Sequence, residues 1–162
     1  SSWFGYRTFR TQREHNVKSV RPILHVSVWD YENHLRVDLV NQGLGPAMIR
    51  TVRVFRGDET KTSIIAWLPK QLPNGVNYSE YLTSHKDWTL RSGEKAEMIK
   101  VLCDPKEPKQ RDVRDALRKD LGQLVVEVEY EDLYGNKMPT MKRPLTYFSR
   151  TDHENSSTIE VA

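Results

Sequence analysis

The chain has 162 residues, enough for one domain to bury a core without disulfides or a metal. Apolar residues make up 37% and charged ones 29%, which suits a hydrated surface, and the single cysteine, Cys103, excludes an internal disulfide framework and favours a reducing compartment. The net charge of +3 is unevenly spread: Arg7, Arg10, Arg13, Lys18 and Arg21 stand against Glu14 in residues 1–21, while the remainder is close to neutral, which argues against a uniformly basic nucleic-acid surface.

No apolar run reaches the roughly 18 residues that a membrane span requires. Trp3, Phe4 and Tyr6 followed by several basic residues form the pattern expected just inside a bilayer, where rings favour the headgroup level and basic groups stay on the cytoplasmic side. Residues 1–21 therefore read as a membrane-proximal basic stalk of an anchored protein, helical over 3–19 and closed by Pro22, the alternative being a frayed, solvated terminal helix.

From residue 23 the period changes to two. Leu24, Val26 and Val28 alternate with Ile23, His25, Ser27 and Trp29, and Leu35, Val37 and Leu39 alternate with Arg36 and Asp38, predicting an antiparallel hairpin about Tyr31-Glu32-Asn33. A loop follows, Asn41-Gln42-Gly43-Leu44-Gly45-Pro46-Ala47, and then a third strand at 48–55 with Met48, Val52 and Val54 inward and room for a bulge. A short strand is expected over Ser63–Leu68, a long loop marked by Pro69, Pro73, Asn74 and Gly75, and one helical turn within Asn77–Ser84. Further strands are expected at 87–91 and 95–103. Residues 107–121 predict a helix, with Val113, Ala116, Leu117 and Leu121 on one face, Pro108 near its start and Gly122 as its cap. Strands at 123–130 and 138–148 flank the turn Leu133-Tyr134-Gly135-Asn136, and residues 151–162 read as a disordered polar tail.

The pattern predicts an all-β fold for residues 22–150, an immunoglobulin-like β-sandwich or a small β-barrel of about seven strands with one helix. Catalytic patterns are missing. The five histidines show no metal-ligand spacing, Cys103 has no neighbouring cue for thiolate activation, and no nucleophile elbow or phosphate-binding glycine loop is present. Gly43-Leu44-Gly45-Pro46 is a poor phosphate cradle, because Pro46 removes a backbone donor. Glu131 and Asp132 adjoin a turn, where acidic residues need no catalytic explanation. The glycosylation patterns at Asn77 and Asn155 are weak and carry no signs of a secretory route. The expectation is therefore a protein that is not an enzyme and takes no cofactor or metal.

Two features point to binding. Arg111, Arg114 and Arg118 lie at helical spacing with Lys119 beside them, a row able to hold phosphates, although the interleaved Asp112 and Asp115 equally describe a solvated face with an Arg111–Asp115 pair. The middle loop carries Trp67, Tyr78, Tyr81 and Trp88, aromatics that either stack on a ligand or plug an open end of the sheets. Arg50 and Arg53 on the third strand complete the candidate ligand-binding set with Tyr78 and Tyr81.

Three stretches, Asn16–Pro22, Leu39–Ile49 and Val128–Asn136, together resemble a loosely defined group of bacterial proteins with N-terminal transmembrane helices, a short basic stalk and a β-rich domain. The resemblance runs from Trp3 to Phe148, and its motifs mark scaffold rather than activity. It implies the bacterial inner membrane, with the β domain on the cytoplasmic side. At the level of architecture alone, the plan is similar to membrane effectors of antiphage defence, in which a β domain senses a nucleotide signal. That likeness implies a sensing domain for a nucleotide or oligonucleotide, acting as a homo-oligomer. The alternative is a protein-interaction module with no small ligand, which a flat acidic or uncharged face near 63–88 would favour over a pocket of converging arginines.

Overall fold

A computed structural model of the protein describes residues 10–14, 20–83 and 86–150. Residues 10–14 are helical, with Arg10 and Glu14 3.5 Å apart. The rest of the expected stalk and the expected tail lie outside the described residues. Among the described residues no helix is long and apolar enough to cross a membrane.

Among the described residues from 20 onward the fold is mostly β, nine strands in two antiparallel sheets with one α-helix. The first sheet runs in the order β1 (Leu24–Asp30), β2 (His34–Asn41), β7 (Lys95–Leu102), β5 (Asn77–Tyr81). The second runs β4 (Glu59–Lys61), β3 (Ala47–Arg56), β8 (Val125–Glu131), β9 (Met141–Pro144), and β6 (Trp88–Leu90) also pairs with β3. The alternation that predicted the hairpin is explained by its register: Val26 pairs with Leu39 and Val28 with Val37. Leu24, Val26, Leu35, Val37, Leu39, Ile99 and Val101 from one sheet meet Ile49, Val52, Val54, Val126, Val128 and Tyr130 from the other in one buried core. Two faces of such side chains in contact supply the main driving force for a fold of this kind.

Several expectations need correction. Ser63–Leu68 is not a strand; Ile65–Trp67 forms a 3-10 turn. The described part of the segment, 77–83, holds no helical turn; it supplies the edge strand β5, which pairs with β7 across a register shift between Tyr78 and Glu80. The stretch 138–148 is strand only over Met141–Pro144 and then turns into a 3-10 helix at Thr146–Ser149. The short strand β4 pairs with the end of β3, where the sequence shows no strand pattern. On β3 the bulge is present, between Ile49 and Thr51, and it moves Ile49 rather than Met48 into the core.

The helix α1 (Pro108–Gly122) lies between β7 and β8 in the chain, with Pro at its first turn as expected. Val113, Leu117 and Leu121 are buried, and the helix packs on the 3-10 turn that carries buried Phe148. Gly122 is the last helical residue and not a left-handed cap. Its lack of a side chain matters because a Cβ there would collide with Ser149.

One end of the sandwich is organised by Asn41, which is fully buried. Its Oδ1 accepts from the backbone N–H of Ile23 at 3.2 Å and Gly43 at 3.0 Å, and its Nδ2 donates to the carbonyls of Gly45 at 2.8 Å and Leu90 at 3.0 Å. These contacts bring the start of β1, the Gly43–Pro46 loop and the end of β6 together. The loop then lies so close to the incoming chain that a Cβ on Gly43 or Gly45 would strike the backbone of Val20–Ile23.

Replacing Asn41 with Ala leaves two amides and two carbonyls without these partners and is expected to cost about 3 kcal/mol or more. Urea titration checks this. The exposed neighbour substitution Gln42→Ala is expected to shift stability by less than about 0.5 kcal/mol, and equal midpoints for the two variants would show that the loop is held by other means.

Candidate functional site

On the outer face of the second sheet, β3 and β8 are neighbours, with Thr51 opposite Glu129, Arg53 opposite Glu127 and Met48 opposite Glu131. This register places basic side chains of β3 beside a row of three glutamates on β8. Arg50 reaches Glu131 and Asp87, each at 3.0 Å. Arg53 reaches Glu127 at 3.3 Å and Glu129 at 3.1 Å. Hydrogen bonding to Glu131 and Asp87 pushes the Arg50 guanidinium further above its ordinary range, and Glu129 does the same for Arg53. Both candidate arginines are therefore already neutralised within the sheet face.

The helical row divides in the same way. Arg118 donates from Nε and Nη2 to Asp30 Oδ2 at 3.0 and 2.9 Å, and Arg114 donates to the Tyr31 carbonyl and to Asp115, each at 3.1 Å. Their side chains are only 13% and 17% exposed, so they work as clips that hold α1 to the end of β1. Asp115 is paired with Arg114 rather than with Arg111 as expected. Arg111 and Lys119 are exposed. Arg50 and Arg53 lie on the second sheet, whereas the helical arginines are tied to the first, so the candidate set does not gather around one ligand.

The aromatics of the middle segment separate into two groups. Trp67 is buried, donates from Nε1 to the Val54 carbonyl at 3.0 Å, and has the cations of Arg56 and Lys61 over its ring at 4.7 and 4.3 Å. Trp88 is half-buried against the core, and its ring N–H has no hydrogen-bond partner among the described residues. Tyr81 is exposed at the edge of β5. Tyr78 packs against the core and donates to the carbonyl of Pro69 at 2.6 Å. Burial, with a smaller contribution from the charge of Asp120, pushes its phenol up to about 12.

That Tyr78 bond anchors one wall of a groove that sequence reasoning missed. Pro69, Leu72 and Pro73 form one side, Val113, Ala116 and Leu117 of α1 form the other, and the space between them is about 300 Å³. Asp112, Asp120 and Lys109 rim it, and Gln110 Nε2 ties the loop to the helix through the Asn74 carbonyl at 3.0 Å. The available sequence signal was Ala116, an apolar residue on the predicted stripe that the structure leaves exposed. Nothing in the spacing said that a loop forty residues upstream, by order of magnitude, would form the opposite wall.

Elsewhere, the exposed Trp29 and Tyr31 and the half-buried His34 form an aromatic run at the turn between β1 and β2, with ring centroids 5.9 and 5.0 Å apart. Cys103 is buried, and burial pushes its thiol up, which disfavours the reactive thiolate. Among the described residues no group of three or more His, Cys, Asp or Glu side chains is placed to hold a metal ion.

The raised Tyr78 phenol gives a pH dependence of definite sign. The unfolded chain releases its proton near 10 and the folded protein near 12, so stability is complete below 10 and falls as pH rises between those values. Thermal melts of wild type and Tyr78→Phe over this range are expected to converge as pH rises. A constant gap between them would show that Tyr78 does not titrate with this shift.

Compared with known proteins, the chain matches no family model, and it matches no curated protein.

Proposed function

We propose that the chain is a non-enzymatic interaction domain of immunoglobulin-like topology, held at a membrane by its N-terminal segment. Its groove between α1 and the Pro69–Pro73 loop receives an apolar side chain of a partner polypeptide. The groove is the observation that carries this reading. An apolar floor with a few polar groups at its rim is the usual form of a recognition pocket. Here the carboxylates of Asp112 and Asp120 favour a basic residue beside the partner's apolar anchor and disfavour a phosphate.

The topology supports the immunoglobulin-like assignment. The order β1-β2-β7-β5 parallels the A-B-E-D sheet of that fold, and β4-β3-β8-β9 parallels C′-C-F-G. The departures are α1, which occupies the connection between the strands that correspond to E and F, and β6, an extra strand that pairs with β3. Immunoglobulin-like sandwiches serve many functions, so the topology favours a binding scaffold without naming its ligand.

The nucleotide-sensing alternative draws on Arg50, Arg53, Arg111, Arg114 and Arg118. Four of these already hold carboxylates, and drawing them onto a phosphate would leave those carboxylates without their partners.

A photo-crosslinking amino acid at Ala116 in cells is expected to give a discrete protein adduct, absent when the probe stands at Lys142 on the second sheet. The double substitution Asp112→Lys, Asp120→Lys is expected to abolish it. No adduct from position 116, together with a nucleotide-dependent rise in melting temperature removed by Arg111→Glu, would overturn the reading in favour of a nucleotide sensor.

A further inference from the structure

At the end of the sandwich organised by Asn41, two loops hold large apolar side chains in water. Leu44, at the tip of the Gly43–Pro46 loop, is 77% exposed, the highest value among the large apolar residues described. Leu133 and Tyr134, in the turn after β8, are 58% and 50% exposed. Pairing of Val40 with Lys95, Ala47 with Leu90 and Met48 with Glu131 puts both loops and the Arg91–Glu94 turn at the same end.

Neither loop is loosely built. The first is fixed by Asn41, by the close approach of Gly43 and Gly45 to the chain at Val20–Ile23, and by a bond of 2.6 Å from Ser92 Oγ to the Gly43 carbonyl. The second is fixed by Asp132, whose buried carboxylate accepts from the N–H groups of Tyr134 at 2.9 Å and Asn136 at 2.8 Å and from Asn136 Nδ2 at 3.0 Å. Each loop thus uses a satisfied buried polar side chain to hold its exposed apolar tip. A tip ordered in advance loses little conformational freedom when it docks.

Charge distinguishes the possible occupants. Arg21, Arg91 and Lys137 are exposed at this end, against the exposed Glu94, while Glu131 is paired with Arg50 and Asp132 is buried. The basic segment with Arg7, Arg10, Arg13 and Lys18 joins the body here, and Arg21 reaches the Met138 sulfur at 3.4 Å. Isolated apolar tips in a basic surround fit an anionic lipid surface. A protein partner would need a separate pocket for each tip, whereas a bilayer interface accepts protruding leucine and tyrosine side chains anywhere and attracts the basic groups around them.

We propose that this end of the sandwich is a membrane-docking surface that seats Leu44, Leu133 and Tyr134 in the interface of an anionic bilayer. It lies apart from the groove and does not depend on that site. The docking presses the body against the leaflet and sets its orientation there.

The test is co-sedimentation of the 162-residue chain with phosphatidylcholine vesicles, with and without phosphatidylglycerol. Binding is expected only with the anionic lipid, and it weakens as salt is raised. The double substitution Leu44→Asp, Leu133→Asp is expected to lower the partition coefficient roughly tenfold or more. The groove substitution Ala116→Trp leaves it unchanged. A second measurement avoids reliance on that variant's folding: an environment-sensitive dye on Leu44→Cys shifts to the blue with anionic vesicles, while one on Thr60→Cys at the far end does not. Absence of vesicle binding, binding undiminished in the leucine variant, or a dye at position 44 that stays in water overturns the proposal; the last two outcomes assign any binding to the basic arm alone.

Discussion

The carboxamide of Asn41 joins three segments that are remote in sequence. A buried side chain that makes four bonds to backbone groups is stabilising only when every partner is in place, because each orphaned amide or carbonyl would carry a full desolvation cost. This all-or-none character couples the start of β1 to the loop before β3 and to the end of β6. The backbone N–H of Asn41 and its carbonyl also bond to Glu94 and Gly93, which brings the turn before β7 into the same assembly. The register of β1 on β2 and of β6 on β3 meets at this one residue, so the relative placement of the two sheets at this end depends on it.

The charged side chains show how a domain with many arginines can leave few of them available. On the second sheet, Arg50 and Arg53 offset three adjacent glutamates that would otherwise repel one another along β8. Such exposed pairs contribute little stability individually, because water and salt screen them. The Arg118–Asp30 pair is different in kind, since both side chains are largely removed from water. Breaking it would strand a charge, and so it positions the helix more than it stabilises it. On the first sheet, Arg36 holds the buried Asp38 carboxylate at 2.6 Å, and that bond pushes the guanidinium further above its ordinary range. The cations are thus distributed according to where strands and helix present carboxylates.

Apolar exposure follows a separate logic. The groove exists because α1 has an apolar stripe slightly wider than its contact with the core, leaving Ala116 over the gap and the proline loop on the other side. The loop tips at the Asn41 end are apolar with basic residues around them, while the groove rim is largely acidic. This difference in charge underlies the two separate proposals, a lipid surface at one region and a basic polypeptide segment at the other.

Periodicity alone determined the β architecture of the body, the first hairpin and the helix, because alternating burial on strands and the i, i+3, i+4 spacing of Val113, Ala116 and Leu117 are local properties of the chain. It also located the Gly43–Pro46 loop and the Leu133–Asn136 turn, where the residue types dictate the backbone. It failed at Ile65–Trp67 and at β5, short segments whose state is decided by what they pack against: Trp67 bonds across to Val54, and Asn77–Tyr81 pairs with β7. Of the candidate site, the residue types were legible but their partners were not. A row of arginines on a helix looks the same in sequence whether it faces water or Asp30. Only the tertiary structure decided that Arg114 and Arg118 clip the helix, that Tyr78 braces a groove wall, and that Leu44 and Leu133 stand at the same end, because each of these depends on bringing distant segments together.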